Sequence, residues 1–345
     1  MSVKSNVQTP LEAFLNNHQQ ADWSQTIADL LPFIHEVDRN ATSIWFAFFP
    51  LALLRALEAA EDPQELAQKL LLQGRYYLKD QIDSSHTFLY GHRYWPEVKQ
   101  AVREYAESAA APANLVLATQ IRETASRVAS QLKVEESLVV GITAVAFMTL
   151  QQVGLDAFRA MPGKVLIDAK HAKKSAQQVL DERAKDDSQG IFGFLRTTDK
   201  RWTVTFDENN RDAHFKMMHM QEIASAAPTH PVKDWSAIDP RCTINEGPIP
   251  VQCRSASCGT CWVGVLGGAE KLTEVAPREA RVMKQFGYIE TDEARPLIRL
   301  SCQAQGLGAV SIVIPPWNGV YGKYLRSRKE GSDAAPEVSS SEVEA

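Results

Sequence analysis

Four of the five cysteines in this 345-residue chain are spaced as metal ligands are. Cys253, Cys258 and Cys261 form a C-x4-C-x2-C motif, and Cys302 follows far downstream. The first residues do not have the charged and apolar regions of a secretory signal, so we expect a cytoplasmic protein. Sparse thiols in such a protein serve metal or redox chemistry more often than a disulfide framework. We therefore expect these four cysteines to hold a metal centre.

This spacing is the one that holds plant-type [2Fe-2S] clusters. Two irons bridged by two sulfides need two thiolates each, and one short loop can supply three of the four. The residues between Cys253 and Cys261 are mostly small, so backbone N–H groups can approach the sulfurs. Such hydrogen bonds stabilise the added charge of the reduced state. The motif predicts one-electron chemistry at a low potential, on the order of −400 mV.

Two other kinds of thiol site agree less well with the spacing. A four-cysteine zinc site usually has two C-x2-C pairs, and this chain has one. A redox dithiol would use only Cys258 and Cys261, and the thioredoxin-like βαβ setting is missing. Cys242 lies outside the motif. We interpret it as a buried thiol, and the alternatives are an additional ligand or a redox-active cysteine.

The first two-thirds of the chain has helical periodicity, with apolar residues three or four positions apart and charged residues between them. Proline and glycine stand where helices should end. We predict an all-α domain over 1–190 and a linker over 191–200. The predicted helical segments are Trp23–Val37, Ser43–Ala60, Pro63–Leu72, Pro96–Ser108, Leu115–Leu132, Glu135–Ala160 and Asp168–Lys185.

After the linker, the pattern changes to short runs rich in β-branched and aromatic residues, which predict strands. The fold class is therefore α+β, with a strand-rich domain over 201–322. The tail, 323–345, is polar and acidic, and we predict that it is disordered. The predicted strands are Arg201–Phe206, His214–Met218, Trp262–Leu266, Leu297–Leu300 and Ala309–Ile314, with a short helix at Pro277–Gln285.

Residues 201–322 resemble a plant-type [2Fe-2S] ferredoxin domain. The motifs that carry the resemblance occur in the family's order: CRSASCGTC at Cys253–Cys261, LTEVAPREARVM at Leu272–Met283, RLSCQ at Arg299–Gln303 and VSIVIP at Val310–Pro315. The resemblance implies a β-grasp fold for this domain. It also implies that Cys253, Cys258 and Cys261 lie in the cluster loop and that Cys302 completes the site.

The chain departs from this family at two places. Ala256 stands where the family often has glycine, which predicts a shifted loop backbone. The stretch Pro228–Pro248 is longer than a minimal ferredoxin needs, and we expect it to cover the cluster or to meet a partner.

The expected function is electron transfer between a partner oxidoreductase and a downstream acceptor. No G-x-G-x-x-G fingerprint, P-loop or H-E-x-x-H motif occurs, so we expect a carrier or electron-transfer subunit and not an enzyme. The alternative is a redox-sensing or scaffolding module whose cluster is regulatory or structural. The layout also resembles ferredoxin-like accessory proteins of uptake [NiFe] hydrogenases, which makes a hydrogenase one candidate partner. We expect the helical domain to dock onto an oxidoreductase or to form homo-oligomers.

Charge and hydropathy limit the kinds of partner that the protein can have. The net charge is −5 without a basic stripe, which argues against nucleic acid. The apolar runs Ile44–Leu54 and Leu138–Leu150 fall short of the roughly 18 residues of a membrane span, so we expect buried helices and no transmembrane segment. Residues 201–322 are nearly neutral, which favours a partner held by fixed contacts over long-range steering.

His86 and His92 could ligate haem or a metal, but we interpret them as hydrogen-bonding groups.

Overall fold

The computed structural model describes residues 8–108, 112, 114, 116–187, 200–286, 293–322 and 324. The predicted linker, except Lys200, and the predicted tail, except Tyr324, lie outside the described residues. An N-terminal helical region precedes small sheets, so the α+β class is confirmed. The helices are α1 (Pro10–Asn16), α2 (Gln20–Leu30), α3 (Glu36–Phe48), α4 (Leu51–Glu58), α5 (Pro63–Lys69), α6 (Trp95–Glu107), α7 (Leu117–Leu132), α8 (Ser137–Ala160), α9 (Ala169–Ala172), α10 (Ala176–Ala184), α11 (Ile223–Ala226) and α12 (Pro277–Phe286).

Three of the predicted helices are divided in two, and a fourth, Glu135–Ala160, is kinked at Gly154, where φ is 75° and ψ is 160°. The prediction Asp168–Lys185 becomes α9 and α10. The prediction Trp23–Val37 misses a 3₁₀ turn at Leu31–Phe33, after which the His35 side chain caps α3. Pro32 lies in that turn, where its ring and missing N–H prevent a continuous helix. Pro50 separates α3 from α4 for the same reason. The helical periodicity of the sequence continues across the breaks at Pro32 and Pro50, because the apolar spacing resumes in register after each proline.

Within the described part of the chain, two helical stretches are long and apolar enough to cross a membrane, Glu36–Glu58 and Ser137–Ala160. Of the most apolar part of each, 61% and 78% respectively is buried inside the fold. The core helices of globular proteins pass the same test, so this is weak evidence for a membrane. The second stretch, α8, packs against α1, α3, α6 and α7, which makes it the centre of the helical region.

The main sheet has five strands in the order β3-β2-β6-β4-β5, and all five strand predictions are confirmed to within two residues at each end. β2 runs parallel to β6, and every other pairing in this sheet is antiparallel. A second sheet pairs β1 with β7 near the end of the described chain. The strands are β1 (Gln73–Gly74), β2 (Arg201–Thr205), β3 (His214–Met218), β4 (Trp262–Gly267), β5 (Ile298–Leu300), β6 (Val310–Val313) and β7 (Trp317–Asn318).

The helical region and the five-stranded sheet share one continuous apolar core. α3 lies directly on β4, and Gly264 is the point of closest approach. A Cβ atom at Gly264 would lie 2.6 Å from Cγ2 of Ile44 and 3.1 Å from Cζ of Phe48. Only glycine leaves room for this contact. Trp317 of β7 adds a second connection, because its indole N–H donates to the Phe48 carbonyl at 2.5 Å.

Asp38 of α3 is a buried carboxylate that holds the segment before α6. Its two oxygens accept the backbone N–H groups of Tyr90 at 2.6 Å and Gly91 at 2.7 Å. Burial raises the pKa of Asp38 to about 6, although the Gly91 and Tyr90 N–H groups and the Arg183 guanidinium oppose the shift. The protonated carboxyl is therefore favoured in the folded state over a wider pH range than in the unfolded chain.

This shift predicts a pH-dependent stability. Between about pH 4 and pH 6 the folded state binds more protons than the unfolded state, so stability falls as pH rises through that window. The pKa difference of about two units corresponds to about 3 kcal/mol. We expect Asp38→Asn to flatten this part of the profile, as measured by urea unfolding at several pH values. An unchanged profile in the variant would assign the dependence to other groups.

Candidate metal centre

The loop between Cys253 and Cys261 turns sharply before β4. Arg254, Ala256 and Gly259 all have positive φ, at 53°, 51° and 66°. This left-handed backbone is ordinary for glycine and strained for other residues. Ala256 is 4% exposed and points into the fold. Its conformation gives a physical reason for glycine at this position in similar loops.

The strain at Ala256 gives a matched pair of variants. We expect Ala256→Gly to keep the loop, with stability within about 1 kcal/mol of the wild type, since the lost methyl and added chain entropy offset the relieved strain. Ala256→Val places a β-branched side chain at positive φ, which costs about 1–3 kcal/mol. Metal content after reconstitution should therefore fall in the valine variant only. Equal metal content in both variants would show that the loop does not need this backbone.

The structure brings the four predicted ligands together as two pairs. The Sγ atoms of Cys253 and Cys258 lie 3.1 Å apart, and both residues are half-buried. The thiols of Cys261 and Cys302 are joined by a hydrogen bond and lie deeper, at 2% and 4% exposure. Among the described residues, no group of three or more His, Cys, Asp or Glu side chains has the arrangement that could hold a metal ion.

Backbone N–H groups point at sulfur on both pairs. Those of Ser255 and Ser257 donate to Cys253 Sγ at 3.5 and 3.2 Å. The Ala256 N–H donates to Cys302, so the loop contacts both pairs. A loop of small residues has put three consecutive amides around the sulfurs, which agrees with the reasoning from the sequence.

These contacts change the acidity of the thiols. Burial raises the pKa of Cys253, but the Ser255 and Ser257 amides outweigh it and hold the pKa at about 6. The hydrogen bond from Cys261 lowers the pKa of Cys302 to about 7, and the Ala256 amide adds to the effect. The same hydrogen bond and burial raise the pKa of Cys261 well above its usual value. Each pair thus contains one thiol poised to ionise near neutral pH, which is the form that binds metal.

Two hydroxyl groups lie beside the sulfurs. Thr260 Oγ1 is 3.1 Å from Cys258 Sγ. The Ser301 hydroxyl is fully buried and has no hydrogen-bond partner among protein oxygen and nitrogen atoms. Its backbone N–H donates to the Cys261 carbonyl at 2.9 Å, which places the side chain next to the Cys261 sulfur. A negatively charged sulfur centre beside this hydroxyl would accept its hydrogen bond.

A buried ion pair holds the strand that leads to Cys302. The Arg299 guanidinium donates both to Glu279 of α12, at 2.8 Å on each oxygen, and to the Thr273 carbonyl. Glu279 also accepts the Leu300 N–H at 3.0 Å. The Arg299 and Glu279 side chains are 1% and 0% exposed. The sequence analysis did not identify Glu279, Arg299, Ser301 or Thr260 as site residues. The available signal was that Thr260, Arg299 and Ser301 lie within the cysteine motifs and that Glu279 lies in the motif Leu272–Met283.

The extra stretch Pro228–Pro248 reaches the loop through an ion pair between Glu246 and Arg254. Earlier in the same stretch, Arg241 forms a bidentate ion pair with Asp239 and donates to the Pro315 carbonyl at 2.8 Å. Cys242 lies in this stretch, is 4% exposed and donates to the Pro248 carbonyl at 3.4 Å. Burial raises the pKa of Cys242 to about 12. This environment suits a buried thiol, which agrees with the interpretation of Cys242.

The two histidines of the helical region bond to each other. Leu166 N–H donates to His92 Nε2 at 2.9 Å, so His92 carries its proton on Nδ1 and donates it to His86 Nδ1 at 2.8 Å. His86 Nε2–H then donates to the Ile82 carbonyl at 3.2 Å. Burial lowers the pKa of His92 to about 4, and burial together with the neighbouring His92 ring lowers the pKa of His86 well below its usual value. Every ring nitrogen is engaged, which favours the hydrogen-bonding interpretation over metal or haem ligation.

No protein-family model matches this chain, and neither a curated protein nor a solved structure is significantly similar to it. The resemblance to ferredoxins therefore depends on the motifs and on the site geometry described above.

Proposed function

We propose that this protein transfers single electrons and holds one [2Fe-2S] cluster on Cys253, Cys258, Cys261 and Cys302. The observation that carries the proposal is the arrangement of the four thiols in two pairs. Two pairs suit a centre with two irons, each of which needs two thiolates. The cluster supplies one electron of redox capacity when bound. The protein's part is to bind it, shield it and exchange electrons with partners.

The sheet supports a β-grasp assignment for the proposed cluster domain. In a β-grasp, the first strand of a hairpin pairs in parallel with the last strand, and a helix packs across the sheet. Here β2 begins the β2–β3 hairpin and pairs in parallel with β6, the last strand of the five. Glu279 and Val282 of α12 are buried, and Glu279 bonds to Arg299 of β5. The cysteine loop leads directly into β4, which is the third of these five strands along the chain.

The chain's own groups would stabilise the reduced state. The amides of Ser255, Ala256 and Ser257 and the Ser301 hydroxyl are donors beside sulfur. Such donors favour added negative charge and raise the reduction potential. Cys261 and Cys302 lie deep, while Cys253 and Cys258 are half-buried. The Cys261–Cys302 pair would therefore be the better shielded from water.

The potential should depend on the Ser301 hydroxyl. We expect Ser301→Ala to lower the reduction potential, because it removes a buried donor. Ser301→Thr keeps a hydroxyl and should therefore keep most of the wild-type potential. Ser257→Ala is the matched control, since the Ser257 hydroxyl lies 2.9 Å from that of Ser255 and bonds to no sulfur. The measurement is a redox titration followed by EPR, with iron content checked in each variant. Equal shifts for Ser301→Ala and Ser257→Ala would remove Ser301 from this role.

The function itself is tested with full-length protein reconstituted anaerobically with iron and sulfide. We expect coulometry to count one electron per chain, taken up and released reversibly, and the reduced protein to pass that electron to an added haem protein. A bound cluster that could not be reduced would exclude the carrier function and favour the structural alternative. A protein that bound no cluster would overturn the proposal entirely.

A further inference from the structure

The outward face of α12 carries only positive charge. Arg278, Arg281 and Lys284 are exposed and follow one another at intervals of three residues, so they lie on one side of the helix. The helix has one acidic residue, Glu279, and it is buried on the opposite side against Arg299. None of the three basic side chains has an ion pair with another described residue. We name Arg278, Arg281 and Lys284 the basic face.

The helix that carries this face lies close to a proposed cluster ligand. Glu279 accepts the backbone N–H of Leu300, and Leu300 is two residues from Cys302. Two residues of extended chain span at most about 7 Å. The bidentate contact between Glu279 and Arg299 holds the helix rigidly against this strand. A protein docked on α12 would therefore approach the cysteine site closely.

The neighbouring basic side chains are neutralised. Arg254 in the cysteine loop pairs with Glu246, and Arg295 pairs with Glu274 at 3.1 Å. Lys271 pairs with Asp186 at 2.9 Å. Among the described residues of this region, the basic face is thus a local concentration of unpaired positive charge. It is concealed in the sequence average because residues 201–322 are nearly neutral as a whole.

We propose that the basic face docks an acidic surface of the electron-transfer partner. This inference rests on the proposed function and adds the chemistry of the partner to it. Three cations that have no ion pair with a described residue, on the helix beside Cys302, would steer an acidic protein so that its own centre approaches the cluster site. Nucleic acid is a poorer match, since the chain is net negative at −5 and binding to a phosphate backbone uses a more extended basic surface.

The test uses two haem proteins of opposite charge as probes, the acidic soluble domain of cytochrome b5 and the basic cytochrome c. Reduced full-length protein would give one electron to the ferric haem of each, which becomes ferrous while the protein is oxidised. We expect the rate with cytochrome b5 to fall as salt rises. The triple variant R278E/R281E/K284E should slow it at least about tenfold at low salt and speed the reaction with cytochrome c.

Two comparisons keep this test specific. R278Q/R281Q/K284Q removes the charge with less risk to the helix and should give an intermediate rate. The variant K79E/K133E/K173E changes the net charge equally at exposed lysines of the helical region and should stay within about twofold of the wild type. Docking is also measured by calorimetry with oxidised cytochrome b5, which needs no cluster. If the rate and affinity of the α12 variants match the wild type, or if the control falls equally, the inference is overturned. Loss of electron transfer with retained, charge-dependent binding would contradict only the proposed function.

Discussion

Cys302→Ala is expected to abolish reversible one-electron reduction and to remove most of the bound iron. Cys302 is the one proposed ligand outside the loop, and without it the Cys261 sulfur has no partner for the second iron. The residue is 4% exposed, so solvent is poorly placed to supply a replacement ligand. Far-UV circular dichroism should still show the helical region, because its centre at α8 does not depend on this thiol. Iron analysis and a redox titration are the measurements.

The control for this variant is Cys242→Ser. Cys242 is buried and hydrogen-bonded within the extra stretch, and we assign it no ligand role. It should retain iron and the wild-type potential. The ligand assignment would fail if Cys302→Ala kept the iron content and spectrum of the wild type, or if Cys242→Ser lost them.

Glu279→Ala is expected to destabilise the protein by about 3–5 kcal/mol, since it leaves the Arg299 guanidinium buried without its partner. The variant also frees the Leu300 N–H, which should loosen the strand leading to Cys302. The variant should therefore lose its cluster sooner after dilution, and the midpoint of its urea unfolding should fall. Arg299→Met alone should be similarly harmful, because it leaves the Glu279 carboxylate unpaired.

The double variant Glu279→Met with Arg299→Met is the informative comparison. Replacing both members of a buried ion pair with apolar side chains is often neutral or stabilising. We expect it to recover most of the lost stability. If the double variant restores stability but not cluster retention, the ion pair positions Cys302 specifically. If each single variant behaved as the wild type, the buried pair would have no role in holding the site.

The sequence predicted the elements well where the pattern was local. Alternating residues located β2 and β3, and the helix predicted at Pro277–Gln285 differs from α12 by one residue. The cysteine spacing identified all four thiols that the structure brings together in pairs. The divisions at Pro32 and Pro50 were missed because apolar periodicity resumed beyond each proline.

Contacts between distant residues could not be predicted in this way. The Glu279–Arg299 pair joins two charged residues, a type that is usually exposed, so neither indicated a buried position. The close approach of Gly264 to Ile44 unites the core across more than two hundred residues, which periodicity cannot report. The basic face on α12 was hidden by averaging charge over a domain. Each of these features becomes visible only when helix and strand faces are assigned in three dimensions.

The central claim is that the four cysteines hold one cluster of two irons. The most direct measurement is the iron, sulfide and zinc content of full-length protein reconstituted anaerobically, followed by EPR after reduction with dithionite. We predict two irons and two sulfides per chain and an EPR signal that appears on reduction and disappears on reoxidation. A single tightly bound zinc ion, or a protein that retains no iron and gives no signal, would contradict the account.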